Sequence, residues 1–147
     1  MRKTLLMSLA FAVGALIAGS ALAMSAGAPP TVTVHMTGGQ EVPKGTPAGS
    51  GTFRFELIPS AGPNVGQVCF SLKWSKIDTP IASHIHKGTK GVSGPIVIVL
   101  FKAPPVGHSG CRNAPKSLIK AIKKKPSAYY VNVHTNKHPL GAIRAQL

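Results

Sequence analysis

Acid is what this sequence has least of: Glu41, Glu56 and Asp78 are its only acidic side chains, against 17 lysines and arginines and a formal net charge of +14. That scarcity excludes the paired carboxylates of glycoside chemistry. It also leaves too few hard oxygen ligands for a calcium or magnesium cage. With a single Asp, no Ser-His-Asp triad can be assembled. Aromatic residues make up 5% of the chain, too few for the stacking platforms of single-strand readers, so nucleic acid is not expected as a partner despite the charge. There are two cysteines and no CxxC spacing, which argues against a thiolate metal site.

One long apolar run is present, and it lies at the N-terminus. Arg2 and Lys3 precede an uncharged stretch from Leu5 to Ala18, and Ala21-Leu22-Ala23 supplies small residues before a cleavage point. This is the pattern of a cleavable signal peptide over residues 1–23. The run falls short of the ~20 residues that a spanning helix needs, so no membrane span is expected after cleavage. Removal of 23 of the 147 residues leaves 124, the size of one domain. The formal charge then falls from +14 to +12 with the loss of Arg2 and Lys3, still enough to draw in anions of any kind. Export, to the periplasm or beyond the cell, puts Cys69 and Cys111 in an oxidising compartment, where a lone pair of cysteines is expected to form a disulfide.

Residues 24–30 read as a flexible leader. Seven segments then carry strand signals: 31–36, 52–57, 68–74, 81–86, 95–101, 128–134 and 142–147. Phe53, Phe55 and Leu57 alternate with Arg54 and Glu56, and Val68, Phe70, Leu72 and Trp74 share one face of the next strand. The apolar run Pro95–Phe101 predicts a strand covered on both faces. Pro104–Asn113 reads as a loop. Between Pro115 and Lys125 the period changes to that of a short helix, with Leu118, Ile119 and Ile122 on one face and Asn113 as its N-cap. The expectation is an all-β antiparallel sandwich or barrel with one short helix.

Six histidines remain: His35, His84, His86, His108, His134 and His138. Residues two apart in a strand project from the same face, so His84 and His86 offer two imidazoles to one ion. Tyr130, Asn132 and His134 likewise share a face, with His134 at the strand end where it can meet the pair. His35, His108 and His138 are candidates for a fourth ligand, His35 first among them. Three neutral imidazoles with few carboxylates favour copper, with zinc as the alternative. Glu41 is the acidic residue placed to orient a ligand imidazole from behind, or to cap a turn.

Four ordered blocks carry a resemblance: Gln40-Glu41-Val42-Pro43, Ala82-Ser-His-Ile-His-Lys-Gly88 with Gly94-Pro95 after it, Tyr130-Val-Asn-Val-His-Thr135, and Pro139-Leu-Gly-Ala-Ile-Arg-Ala-Gln-Leu147. Residues 31–147 resemble the CHRD domain, a family named for chordin and widespread in bacterial exported proteins. One departure is Ala145, where the family usually has a second Gly. The resemblance implies an immunoglobulin-like β-sandwich. The HxH strand is also similar to the copper-binding strand of Cu/Zn superoxide dismutase, another exported Greek-key β-sandwich. The dismutase's bridging histidine and zinc-binding Asp have no counterpart here, so that likeness implies a copper-only site.

Two functions follow as expectations. One is a copper-binding exported protein, a carrier or a dismutase-like oxidoreductase, in which Arg144 guides a small anion such as superoxide towards the metal. The other is a non-catalytic interaction domain without metal, with Lys116, Lys120, Lys123, Lys124 and Lys125 on or near the helix facing an acidic surface.

Overall fold

A computed structural model describes residues 30–102 and 108–147. The expected signal peptide and residues 24–29 of the leader lie outside the described residues, as does part of the expected loop at 104–113. Among the described residues eight strands form: β1 (Val32–Thr37), β2 (Ser50–Gly62), β3 (Val65–Ser75), β4 (Pro80–Lys87), β5 (Ile96–Lys102), β6 (Ser109–Pro115), β7 (Tyr129–Thr135) and β8 (Ile143–Gln146). One helix, α1 (Lys116–Lys124), lies between β6 and β7. Among the described residues no helix is long and apolar enough to cross a membrane.

All pairings are antiparallel, in a single sheet of order β5-β4-β7-β8-β1-β2-β3-β6. β1, β2 and β3 form a meander, β4 lies between β5 and β7, and β8, which follows β7 through the loop 136–142, joins the two groups by pairing with β1. The sheet curls until its ends meet: Phe53, Val68, Phe70 and Leu72 from one end share a single core with Ile85, Leu100, Val131 and Val133 from the other. Arg112 of β6 closes the seam by donating from Nε to the Leu100 carbonyl of β5, 2.7 Å away. Alternation sets which residues enter this core. Phe53 and Phe55 stack with centroids 4.9 Å apart while Arg54 faces out.

Three expectations change. The segment 109–115, expected as loop and helix start, is strand β6, held on β3 by direct pairing of Cys69 with Cys111, which form a disulfide. Asn113 lies in that strand and accepts a hydrogen bond from Gln67 at 3.0 Å, so it caps nothing; the chain passes straight from β6 through Pro115 into α1. The run at 95–101 is not covered on both faces. β5 ends the sheet, and its two register shifts against β4 let Leu100 and Phe101 both enter the core while Ile96 and Val99 stay exposed. The helix keeps its apolar stripe, with Ile119 and Ile122 buried against β2 and β3.

Candidate metal centre

The core takes the inward residues of β4, β7 and β8; their outward residues form a second, polar buried layer. Ser83 and Ile85 point in, so His84 and His86 point out. Strand register then lays these side chains in rows. His84 lies opposite Asn132, which lies opposite Arg144; His86 lies opposite Tyr130, which lies opposite Gln146; His134 lies opposite Ala82. All eight would be solvent-facing on a bare sheet. Two connections cover them instead: the segment from Gly38 to Gly45 after β1, and the segment from Gly88 to Pro95 after β4. The two are tied together by the Ser93 hydroxyl, which donates to the Val42 carbonyl at 2.8 Å.

His84, His86 and His134 come together, each offering one ligand nitrogen, with those nitrogens all within 4.8 Å of one another. All three are buried. Two of the rings are oriented by backbone carbonyls, which can only accept. His86 Nδ1–H donates to Gly94 O at 2.8 Å, and His134 Nδ1–H donates to Pro139 O at 2.9 Å. In the neutral form of either ring the lone pair is on Nε2. His134 Nε2 lies 3.1 Å from His84 Nδ1 and 3.0 Å from Asn132 Oδ1. His86 Nε2 is buried with no partner.

The surroundings hold the imidazoles neutral. Burial pulls His84 down to about 4, helped by His134, His86 and Lys102 nearby. Burial also lowers His86 and His134, against the opposing pull of their carbonyl bonds. Neutral imidazole is the form that binds metal.

Behind the histidines stands a brace. Tyr130 stacks on His86 at 4.7 Å between ring centroids, and the Arg144 guanidinium sits 3.4 Å from the Tyr130 ring centroid. Arg144 is 2% exposed and donates to Val92 O and Thr89 O at 3.1 and 2.9 Å. The guanidinium thus pins the 88–95 connection. Glu41 is buried beside Arg144 and Asn132, and Asn132 in turn touches His134. Burial lifts the Glu41 carboxyl to about 7, against Arg144, the Val42 N–H and Asn132, and its Oε1 has no hydrogen-bond partner.

The other candidates lie apart. His35 is exposed on β1, outside the group; His108 is exposed with its ring 4.1 Å from that of Trp74; His138 sits in the turn after β7, its N–H bonded to Thr135. Alternation pointed to Tyr130 and Asn132 as facing the same way as His134. The carbonyls of Gly94 and Pro139 carried no sequence signal, because any residue has one.

The Gln40–Pro43 segment, the HxH strand, β7 and β8 all converge on this one layer. No curated protein and no solved structure matches the chain. The family model of the CHRD domain matches residues 32–147, which takes in every strand and every residue of the histidine layer, and the chain belongs to that family.

Proposed function

We propose that this CHRD-domain protein binds one metal ion, copper first and zinc as the alternative, through His84, His86 and His134, and that it does so outside the cytoplasm, in the periplasm or beyond the cell. The observation that carries this reading is the Nε2 of His86, buried and unpartnered while its ring is locked the other way by Gly94. An orphaned buried acceptor costs about 1–3 kcal/mol, and a metal ion is the partner that takes a lone pair. His134 Nε2 joins it as a ligand once it gives up any proton it shares with Asn132 Oδ1, 3.0 Å away. His84 becomes a ligand through Nδ1 by moving its proton to Nε2, a tautomer change with no net loss of charge. Three imidazoles with no free thiol, since both cysteines are joined, form a donor set suited to copper or zinc.

Bound copper would supply one-electron redox chemistry, with superoxide as the small anion for a dismutase-like activity. The chain's own residues contribute ring orientation, through Gly94, Pro139 and Tyr130, and a positive field. Arg144 acts in this reading by holding Tyr130 and the 88–95 connection, and its charge adds to that field. The Cys69–Cys111 disulfide fits an oxidising location.

A second reading has one observation in its favour. His84 Nδ1–H can donate to His134 Nε2 at 3.1 Å, which gives the cluster a metal-free hydrogen-bonded state and leaves a non-catalytic interaction domain. Metal content by mass spectrometry decides, on protein purified from an exporting host beside a His84→Ala/His86→Ala variant. Near-stoichiometric copper or zinc, lost in a variant that still folds, supports the first reading. No metal in either, even after both ions are offered, overturns it.

A further inference from the structure

Exposed large hydrophobic side chains are not scattered over this protein. Among the described residues they are Val42, Val92, Ile96, Val99 and Leu140, with Val32 at a separate cleft. The first five ring the histidine layer. Ile96 lies opposite His86 and Val99 opposite His84 across the β4–β5 pairing, so their side chains share the histidines' face. Val92 accepts from Arg144 and stands two residues before Gly94, which orients His86. Val42 follows Glu41 and is tied to Ser93. Leu140, 68% exposed, follows Pro139, which orients His134, and lines a depression with Pro43 and Lys44. Val92 and Ile96 are each 50% exposed. Isolated exposed apolar residues are ordinary, but five gathered on the segments that carry and cover one polar cluster, here called its collar, mark a contact surface.

The rim of this collar is basic. Lys44 and Lys90 flank it on the two covering connections, and Lys102 lies opposite Ala82, in the row that continues to His134. No free carboxylate offsets them: Glu41 is buried, Asp78 is held by Lys137 at 2.9 Å, and Glu56 lies on β2 opposite Cys69. A second copy of this chain would bring the same positive rim to the contact and be repelled.

We propose that the collar is the docking surface for an acidic partner protein, whose apolar centre seats on Val99, Ile96 and Leu140 and whose carboxylates meet Lys44, Lys90 and Lys102. The proposal rests on the metal reading for its purpose, since a partner seated there covers the histidine group and is positioned to exchange an ion with it. An apolar centre supplies the affinity and a charged rim the approach rate and selectivity.

The probe is a synthetic peptide alternating Glu with Phe and Leu, titrated into the 15N-labelled full chain, with a Lys-for-Glu peptide as control. Expected are amide shifts at Val42, Val92, Ile96, Val99 and Leu140. Affinity should fall at least about tenfold in a Lys90→Glu/Lys102→Glu variant, and similarly on raising the salt from about 20 to about 200 mM. Val99→Asp should weaken it as much, and Lys120→Glu/Lys124→Glu on α1 by less than about twofold. Shifts confined to α1, equal binding of the Lys peptide, no binding, or a concentration-dependent dimer abolished by Val99→Asp would each overturn the proposal. Peptide binding at the collar by a protein that takes up neither copper nor zinc would sink the metal reading and leave the docking surface standing. Metal uptake with collar variants that bind the peptide as well as the wild type does the reverse.

Discussion

His86→Ala should abolish the stabilisation that a metal ion confers on this protein. The ring it removes is 7% exposed, stacks on Tyr130 at 4.7 Å and donates to Gly94 O. Without metal, the stacking is worth about 0.5–1.5 kcal/mol. The stranded Gly94 carbonyl adds about 1 kcal/mol, the low end because the Tyr130 hydroxyl is 3.5 Å away. Removal of the unpartnered Nε2 offsets about 1–3 kcal/mol of this, so the metal-free variant is expected to lie within about 1.5 kcal/mol of the wild type. The informative quantity is the increment on adding ion, from which that difference cancels. An ion held at a hundred times its dissociation constant adds about 2.7 kcal/mol, roughly 10 °C in melting temperature for a domain of this size. Thermal melts with and without copper(II) or zinc should give that increment for the wild type and for His35→Ala, and almost none for His86→Ala. Equal increments in wild type and His86→Ala would refute the reasoning, because the ion would then sit on His35, His108, His138 or the surface.

Four further outcomes follow from the same contacts. Glu41 titrates near 7 when folded against 4.5 as its ordinary value, so the folded chain holds a proton that the unfolded chain releases, and wild-type stability from this group is lost as pH rises from 4.5 to 7. Glu41→Gln cannot titrate, so its stability relative to wild type in urea should improve by about 2–3 kcal/mol between pH 5 and pH 8; a relative loss would mean that the ionised pair with Arg144 dominates. His84 works the other way: its folded value near 4 lies below the ordinary 6.5, so the unfolded chain takes up a proton first and stability falls as pH drops from 6.5 to 4. His84→Gln should flatten that slope in metal-free protein, and an unchanged slope would contradict the burial argument. Cys69→Ser/Cys111→Ser opens a link between residues 42 apart and should lower stability by about 4 kcal/mol in chemical denaturation; a loss under about 1 kcal/mol would show that β6 holds to β3 by pairing alone. Gly141→Ala places a methyl group against the buried Glu41 carboxylate at a φ of +140° and should cost about 2–4 kcal/mol. Gly91→Ala, also at positive φ (+79°) but with open space around it, should cost about 1 kcal/mol; equal costs would remove Glu41 from the explanation.

Much of this protein is written in period-two patterns, and those are local. Alternation in 52–57 and 68–74 determined which faces of β2 and β3 enter the core, and the spacing of His84 and His86 determined that both leave it on the same side. The same rule put Tyr130, Asn132 and His134 together on β7. Histidine identity and the shortage of carboxylates determined the kind of ion the group suits. The four blocks shared with the CHRD family marked the segments that matter.

What local pattern could not supply is which strand lies beside which. Only the closed sheet decided that β4 pairs with β7, so that the HxH pair meets His134, and that β1 carries His35 elsewhere. The strand at 109–115 was hidden because Gly, Pro, Arg and Asn dominate it; pairing with β3 and a disulfide hold it extended where its own propensities would not. The apolar run at 95–101 read as fully covered because hydrophobicity does not reveal that a strand ends a sheet or that its bulges turn Ile96 and Val99 outward. The burial of Arg144 and Glu41 was decided the same way. It depends on two connections folding over the outer face of the sheet, and their positions are set by carbonyl groups that every sequence possesses alike.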